Sequence, residues 1–176
     1  AIEVEKKIED VAKTVETVGD ITNKVGKGVF TAGAALASNP TTAAAGQTMM
    51  KVGTKTQEIG LKVENVGQYG QALAQTAQSV TYAAQGEIGK ALTTAGSAVQ
   101  TAGAAVKTTK NMDKTLEQLD EKLEEGMEKS ATAVAAQEAA QQAAENGQLN
   151  GMTTKEYAKN AKAQLDNQVE AGTLNQ

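Results

Sequence analysis

Apolar residues recur along this chain at alternating spacings of three and four residues. In the first segment two such positions are filled by Ile8, Val15, Val29 and Leu36 and by Val4, Val11, Val18, Val25 and Ala32. A period of seven residues is typical of helices that pack side by side. The pattern predicts a long helix whose apolar seam, formed by these residues, faces a partner helix. The same spacing returns from about residue 42 and again from residue 88, so we expect an all-α, coiled-coil-like fold.

A glycine follows an apolar residue at one flank of the seam, again with a period of seven. These ten positions, the glycine ladder, are Gly19, Gly26, Gly33, Gly46, Gly53, Gly60, Gly67, Gly89, Gly96 and Gly103. A glycine inside a helix costs roughly 1 kcal/mol relative to alanine. Ten of them amount to about 10 kcal/mol, which is comparable with the net stability of a typical domain. We therefore predict that helix backbones approach each other closely at all ten sites.

The single proline, Pro40, predicts a turn over residues 38–42. Proline disfavours helical geometry at Asn39, and Thr41 or Thr42 can cap the helix that follows. A chain that folds back at this turn pairs specific ladder positions. The expected pairs are Gly33 with Gly46, Gly26 with Gly53, Gly19 with Gly60, and Ala12 with Gly67. The sequence thus predicts an elongated antiparallel hairpin with seams rich in glycine and alanine.

Beyond the hairpin the turn signals are weaker, and they divide the chain into three parts. Residues 1–145 are expected to form a long helical hairpin or bundle, with a second bend in 68–87 or, alternatively, one continuous helix there. Two Asn-Gly pairs predict a turn over 146–152. A capping box from Thr153 to Glu156 predicts a short C-terminal helix and a frayed tail over 153–176.

The residue types that build most catalytic and metal sites are missing from the sequence. There is no His and no Cys, and all seventeen basic residues are Lys. Zinc sites and His-assisted nucleophiles cannot be built from this set. We therefore predict no catalytic residue, no metal ligand, no cofactor and no enzymatic activity. The absence of Arg and a net charge of −4 also oppose nucleic-acid binding.

An uncharged stretch, residues 28–50, surrounds the predicted turn and is the one candidate membrane tip. Its large apolar side chains are Val29, Phe30, Leu36, Met49 and Met50. Each arm provides ~15 Å of helix, half of the ~30 Å hydrocarbon core of a bilayer. The tip is therefore long enough to enter one leaflet, but burial against another helix or subunit is the favoured interpretation.

Three functions are compatible with these patterns. The first is a non-enzymatic structural protein that self-assembles through small-residue helix packing into a bundle, tube or filament. One hairpin covers only part of the small-residue surface, and components of secretion conduits and phage ejection tubes have similar Ala-, Gly- and Gln-rich compositions. The alternative is a membrane-active translocator or pore-forming protein that inserts the tip, and the second alternative is a stress or ice-binding protein.

The first interpretation implies particular partners and a particular location. We expect a homo-oligomer, since glycine-lined and alanine-lined surface left uncovered by one hairpin can be covered by helices of other copies. A membrane surface is the other candidate partner. A secreted, surface or virion-associated location is favoured over the cytoplasm.

Overall fold

A computed structural model of the protein describes residues 1–172. Within that range the chain forms five α-helices and no β-strand, which confirms the predicted all-α class. The helices are α1 (Ile2–Ala37), α2 (Ala43–Ala84), α3 (Ile88–Lys129), α4 (Ala131–Glu145) and α5 (Thr154–Glu170). Residues 173–176, the end of the expected frayed tail, lie outside the described residues.

The turn between α1 and α2 is held by side-chain hydrogen bonds around Pro40. Asn39 Oδ1 accepts hydrogen bonds from the backbone N–H of Thr41 at 3.0 Å and from its hydroxyl at 2.7 Å. The Thr42 hydroxyl donates to the carbonyl oxygen of Leu36 at 2.7 Å. These bonds satisfy backbone groups that the helix ends leave free, and so they fix the point at which the chain reverses.

A second turn separates α2 from α3 at residues 85–87, at the C-terminal end of the interval in which a bend is expected. Gly86 adopts a φ of +80°, a conformation that favours glycine. The Glu87 N–H donates to the Tyr82 carbonyl at 2.9 Å, and the Gly86 N–H donates to the Ala83 carbonyl at 3.1 Å. This pair of bonds is a Schellman motif, which ends α2 without a proline.

A third break, between α3 and α4, falls at Ser130, where the sequence has neither proline nor glycine. The Ser130 hydroxyl donates to the Gly126 carbonyl at 2.8 Å and accepts a hydrogen bond from Gln47 Nε2 at 2.8 Å. The second bond joins the break to α2. Because its partner is 83 residues away, the local sequence contains no signal for this break.

The start of α5 follows the predicted capping box. Asn150 and Gly151 have φ values of 56° and 82°, and they reverse the chain after α4. Thr153 then accepts a hydrogen bond from the backbone N–H of Glu156 at 3.1 Å, as an N-cap residue does.

The described chain divides into two compact units. The first unit consists of Ala1–Gly26 and Lys55–Leu119, and the second consists of Lys27–Thr54 and the described residues from 120 to 172. The first contains parts of α1, α2 and α3 and the turn at residues 85–87. The second contains the Pro40 turn with α4 and α5, and its core is built from small side chains and one methionine. These core residues are Ala37, Ala43, Met50, Ala133, Ala136, Ala140, Ala143 and Ala158.

Within the second unit, Gln137 of α4 binds the beginning of α2. Its Oε1 atom accepts a hydrogen bond from the Ala44 backbone N–H at 2.8 Å. Its Nε2 atom donates to the Thr41 carbonyl at 3.1 Å. The amide side chain therefore satisfies an N–H group in the first turn of α2 that has no partner within the helix.

Candidate assembly surface

In the first unit, α1 and α2 meet where side chains are missing. A Cβ atom built on Gly19 would lie 2.6 Å from the Cα of Glu64, and one built on Gly60 would lie 2.9 Å from the Cα of Asn23. Both distances are shorter than real Cβ contacts, and the obstructing atoms are backbone. Gly19 thus lies opposite Gly60, which is the pair that the Pro40 turn predicts.

Two further ladder contacts have the same character. A Cβ atom on Gly67 would lie 2.8 Å from the carbonyl oxygen of Ala12 in the first unit. In the second unit, a Cβ atom on Gly33 would lie 2.8 Å from the carbonyl oxygen of Gly46. Gly26 and Gly53 are each buried.

The prediction of close backbone contact is wrong for the last three ladder positions. Cβ atoms built on Gly89, Gly96 and Gly103 would meet nothing within 4 Å. The buried residues of α3 lie two positions after each of these glycines and are Ala91, Ala98 and Ala105. The reason is that α1 already covers the glycine-lined side of α2, so α3 packs on another side, where an alanine methyl group fits.

Polar contacts identify the side of α2 that α3 occupies. The Ser79 hydroxyl donates to the Ala91 carbonyl at 2.8 Å. Asn65 Nδ2 donates to the Thr109 hydroxyl at 2.9 Å, and the Tyr69 hydroxyl lies 2.9 Å from the same Thr109 oxygen. Residues 65, 72 and 79 of α2 therefore face α3.

The apolar seam does not face a partner helix, and this part of the sequence interpretation is wrong. Val66 is 65 % exposed, Leu73 is 72 % exposed and Val99 is 72 % exposed. The glycine ladder shares the seven-residue period of the seam, but it lies about 100° around the helix from the row of residues that directly precede the glycines. Backbone contact at the glycines brings the helices together, and this contact leaves the larger side chains on the surface.

The exposed apolar residues of α1 and α2 lie on the same side of the first unit. Val18 precedes its contact glycine by one residue, and so does Ile59. In an antiparallel pair, equal offsets from the contact point place two side chains on the same side of the plane that contains both helix axes. Both residues are about half exposed.

The exposed apolar row of α3 extends this surface. Val80 follows Ser79 by one residue on α2, and Val99 follows Ala98 by one residue on α3, so the same geometry applies. A groove between the two helices is lined by Val80 and Val99 together with Thr76, Ala95 and Ala102. The two valines therefore border one groove, which places the rows of α2 and α3 on a common side.

We call this surface the apolar face. Its residues are Val4, Ile8, Val11, Val18, Val25, Ile59, Val66, Leu73, Val80, Ile88, Leu92, Val99 and Val106. With roughly half or more of each residue exposed, the face presents on the order of 1,000 Å², whereas the largest apolar patch of a monomeric protein is a few hundred Å². All of these residues are aliphatic, and Lys62 borders them one helical turn before Val66.

The other side of the α1–α2 contact is polar. Gln78 donates to Glu9 at 2.5 Å, Gln71 donates to Glu16, and the Thr81 hydroxyl donates to Glu5 at 2.5 Å. Burial raises the pKa of Glu9, but hydrogen bonds from Gln78 and Lys13 outweigh this effect and lower the pKa overall.

The pKa of Glu64 is shifted in the opposite direction to that of Glu9. Burial raises the pKa of its carboxyl group above the usual value, and repulsion by Asp20 and Glu16 raises it further. Attraction by Lys24 offsets only part of this. These carboxylates concentrate negative charge away from the apolar face.

Part of the candidate membrane tip is buried in the core of the second unit. Met50 is fully buried. A Cβ atom built on Gly126 would lie 2.7 Å from the Met50 sulfur and 3.7 Å from Cζ of Phe30, so both side chains pack against α3. The assignment of Met50 to a lipid-facing tip is therefore wrong, and burial is the outcome. Val29 and Met49 are half-buried, and Leu36 is 37 % exposed.

Two other kinds of functional feature are absent from the part of the chain that the structure describes. None of the helices in residues 1–172 combines the length and the apolarity needed to cross a bilayer. The same residues bring together no group of three or more side chains of the types that ligate metals. Comparison with protein-family models, with curated proteins and with solved structures finds no match to this chain.

Proposed function

We propose that this chain is a non-enzymatic structural protein that self-assembles by covering its apolar face with helices of other copies. The observation that carries the proposal is the exposure of three parallel rows of Val, Ile and Leu on one side of the first unit. Burial of apolar surface is the dominant driving force of protein association. A surface of this extent therefore favours association in water.

The pattern of residues favours protein rather than lipid as the cover. Amphipathic helices that lie in a membrane interface carry Trp or Phe on the apolar side and Lys or Arg beside it. The apolar face is purely aliphatic, the chain has no Trp, and its single phenylalanine, Phe30, packs in the second unit. The regular spacing of seven residues is instead the spacing of surfaces that interlock with other helices.

Assembly of this kind fits a bundle, a tube or a filament, as in a secretion or phage ejection apparatus. It needs no cofactor and no catalytic group. The proposed partner is a second copy of the chain, because every copy carries the same uncovered face.

Light scattering coupled to size-exclusion chromatography tests the proposal over a wide range of protein concentrations. We expect a mass that is a multiple of the monomer mass, and discrete particles in negative-stain electron microscopy. A monomer at every concentration would refute self-assembly. If that monomer floated with liposomes in a density gradient, the membrane-active alternative would replace it.

A further inference from the structure

We infer that the apolar face is covered by the same face of a second copy, related to the first by a two-fold axis. The two three-helix layers then close into one six-helix core. This inference rests on the proposed function and specifies which surface of the second copy covers the apolar face and how many copies that contact joins.

The first argument is that the first unit is a single layer. Helices α1 and α3 pack on different sides of α2, through Gly60 and Gly67 on one side and through Asn65 and Ser79 on the other. The rows that they leave exposed lie together. Stable domains bury an apolar side between two layers, and this unit supplies only one of them.

The second argument is the area. The face presents on the order of 1,000 Å², and a stable protein–protein interface buries about 800 Å² on each partner. One face against another is therefore enough for a specific dimer. Coverage by a single helix of a foreign partner would leave much of the area exposed.

The third argument is self-complementarity, which a two-fold interface requires. The face carries ridges, such as the row of Val66, Leu73 and Val80. It also carries a groove, in which Ala95 and Ala102 lie between larger residues. Ridges and groove share the period of seven residues, so the ridge of one copy matches the groove of the other.

The fourth argument is charge. Packing through the opposite side would bring together the carboxylates of Glu16, Asp20 and Glu64 from two copies, and like charges at close range repel. The apolar face has no such groups. Two copies therefore pair through their apolar faces. A two-fold contact closes at the dimer and does not propagate, so it selects the bundle over the tube and the filament.

The test is a charge substitution at the centre of the face. Val66→Lys is expected to raise the dimer dissociation constant about 30-fold or more, as loss of a central interface residue does. The matched control is Ser97→Lys on the exposed opposite side of α3, which should leave the constant unchanged. Circular dichroism should show the same helix content in both variants, since Val66 is exposed within one copy.

A second measurement remains informative if Val66→Lys perturbs folding. The chain has no cysteine, so Val66→Cys and Ser97→Cys each introduce one thiol that can be alkylated. The rate of alkylation at position 66 should fall with the fraction of monomer, about tenfold where roughly nine-tenths of the protein is dimeric. Alkylation at position 97 should stay constant.

The possible outcomes separate the two proposals. If the wild type assembles and Val66→Lys assembles equally well with position 66 fully reactive, another surface is used. The inference then fails together with the assignment of assembly to the apolar face, and only self-assembly itself stands. If Val66→Lys abolishes particles larger than a dimer, the face is used in an open assembly, and the two-fold arrangement is wrong. A wild type that is always monomeric refutes both.

Discussion

The carbonyl oxygen of Gly60 lies 2.7 Å from the position that a Cβ atom on Gly19 would occupy. The carbonyl oxygen of Gly19 lies at the same distance, 2.7 Å, from the position of a Cβ atom on Gly60. This reciprocal contact shows that the two backbones touch. It gives glycine a packing role at both positions despite its cost to the helix, since any side chain would force α1 and α2 apart.

Gly19→Ala is therefore expected to destabilise the protein by about 2 kcal/mol or more, because overpacking against backbone outweighs the gain in helix propensity. Denaturant unfolding followed by circular dichroism measures this. Gly28→Ala is the matched control in the same helix, where a Cβ atom would meet nothing within 4 Å. Equal effects of the two substitutions would contradict the contact.

Gly96→Ala has the opposite expected sign. This ladder glycine lies in open space on α3, so alanine should stabilise the helix by roughly 1 kcal/mol. The corresponding substitution Gly60→Ala should lose stability. A loss of stability in Gly96→Ala, measured at a concentration where the protein is monomeric, would show that α3 uses its glycines after all.

Gln137→Ala should destabilise the second unit by about 1 kcal/mol, because the Ala44 N–H then loses its partner in the first turn of α2. Thermal unfolding or amide hydrogen exchange at Ala44 can detect this loss. The control Gln141→Ala, one helical turn further along α4 and exposed, should stay within about 0.5 kcal/mol of the wild type.

Glu64→Gln should raise the melting temperature at neutral pH. Burial and the neighbouring Asp20 and Glu16 raise the pKa of Glu64 in the folded state. A raised pKa contributes stability below the unfolded value, and this contribution is lost as the pH rises through the folded value. Glutamine cannot ionise, so it avoids the loss.

The pH dependence provides the decisive comparison for that substitution. The advantage of Glu64→Gln should be present at about pH 7 and disappear below about pH 4, under the ordinary pKa of Glu. Glu121→Gln on the exposed part of α3 is the control. An advantage independent of pH would mean that the carboxylate charge is not the cause.

The helices and the Pro40 turn follow from local signals, namely a period of seven residues and one proline. The pairing of Gly19 with Gly60 also follows, because the turn fixes which ladder positions face each other. Close contact at the ladder is predicted as well, from the cost of glycine in a helix, but the exposure of the apolar seam does not follow from the sequence. The ladder and the seam have the same period, so periodicity alone cannot tell which of them faces the neighbouring helix. Hydrophobicity favours the seam, which the structure shows to be exposed.

Two other features depend on residues far apart in the sequence. The Gly96 position repeats the ladder pattern of Gly60, yet it is exposed because α1 already occupies the glycine side of α2. The helix break at Ser130 and the cap by Gln137 rest on partners in α2. Such contacts become visible only when the helices are placed together in three dimensions.

The repetition of the α1–α2 contact every seven residues makes its alignment degenerate, since a slide by one heptad would again match glycine to glycine. The five residues between Ala37 and Ala43 are what select one alignment. If that connection were lengthened or straightened, α1 of one molecule could exchange onto α2 of the next with all its contacts preserved. The short loop between α1 and α2 thus prevents domain swapping, in which a series of molecules would exchange their α1 helices.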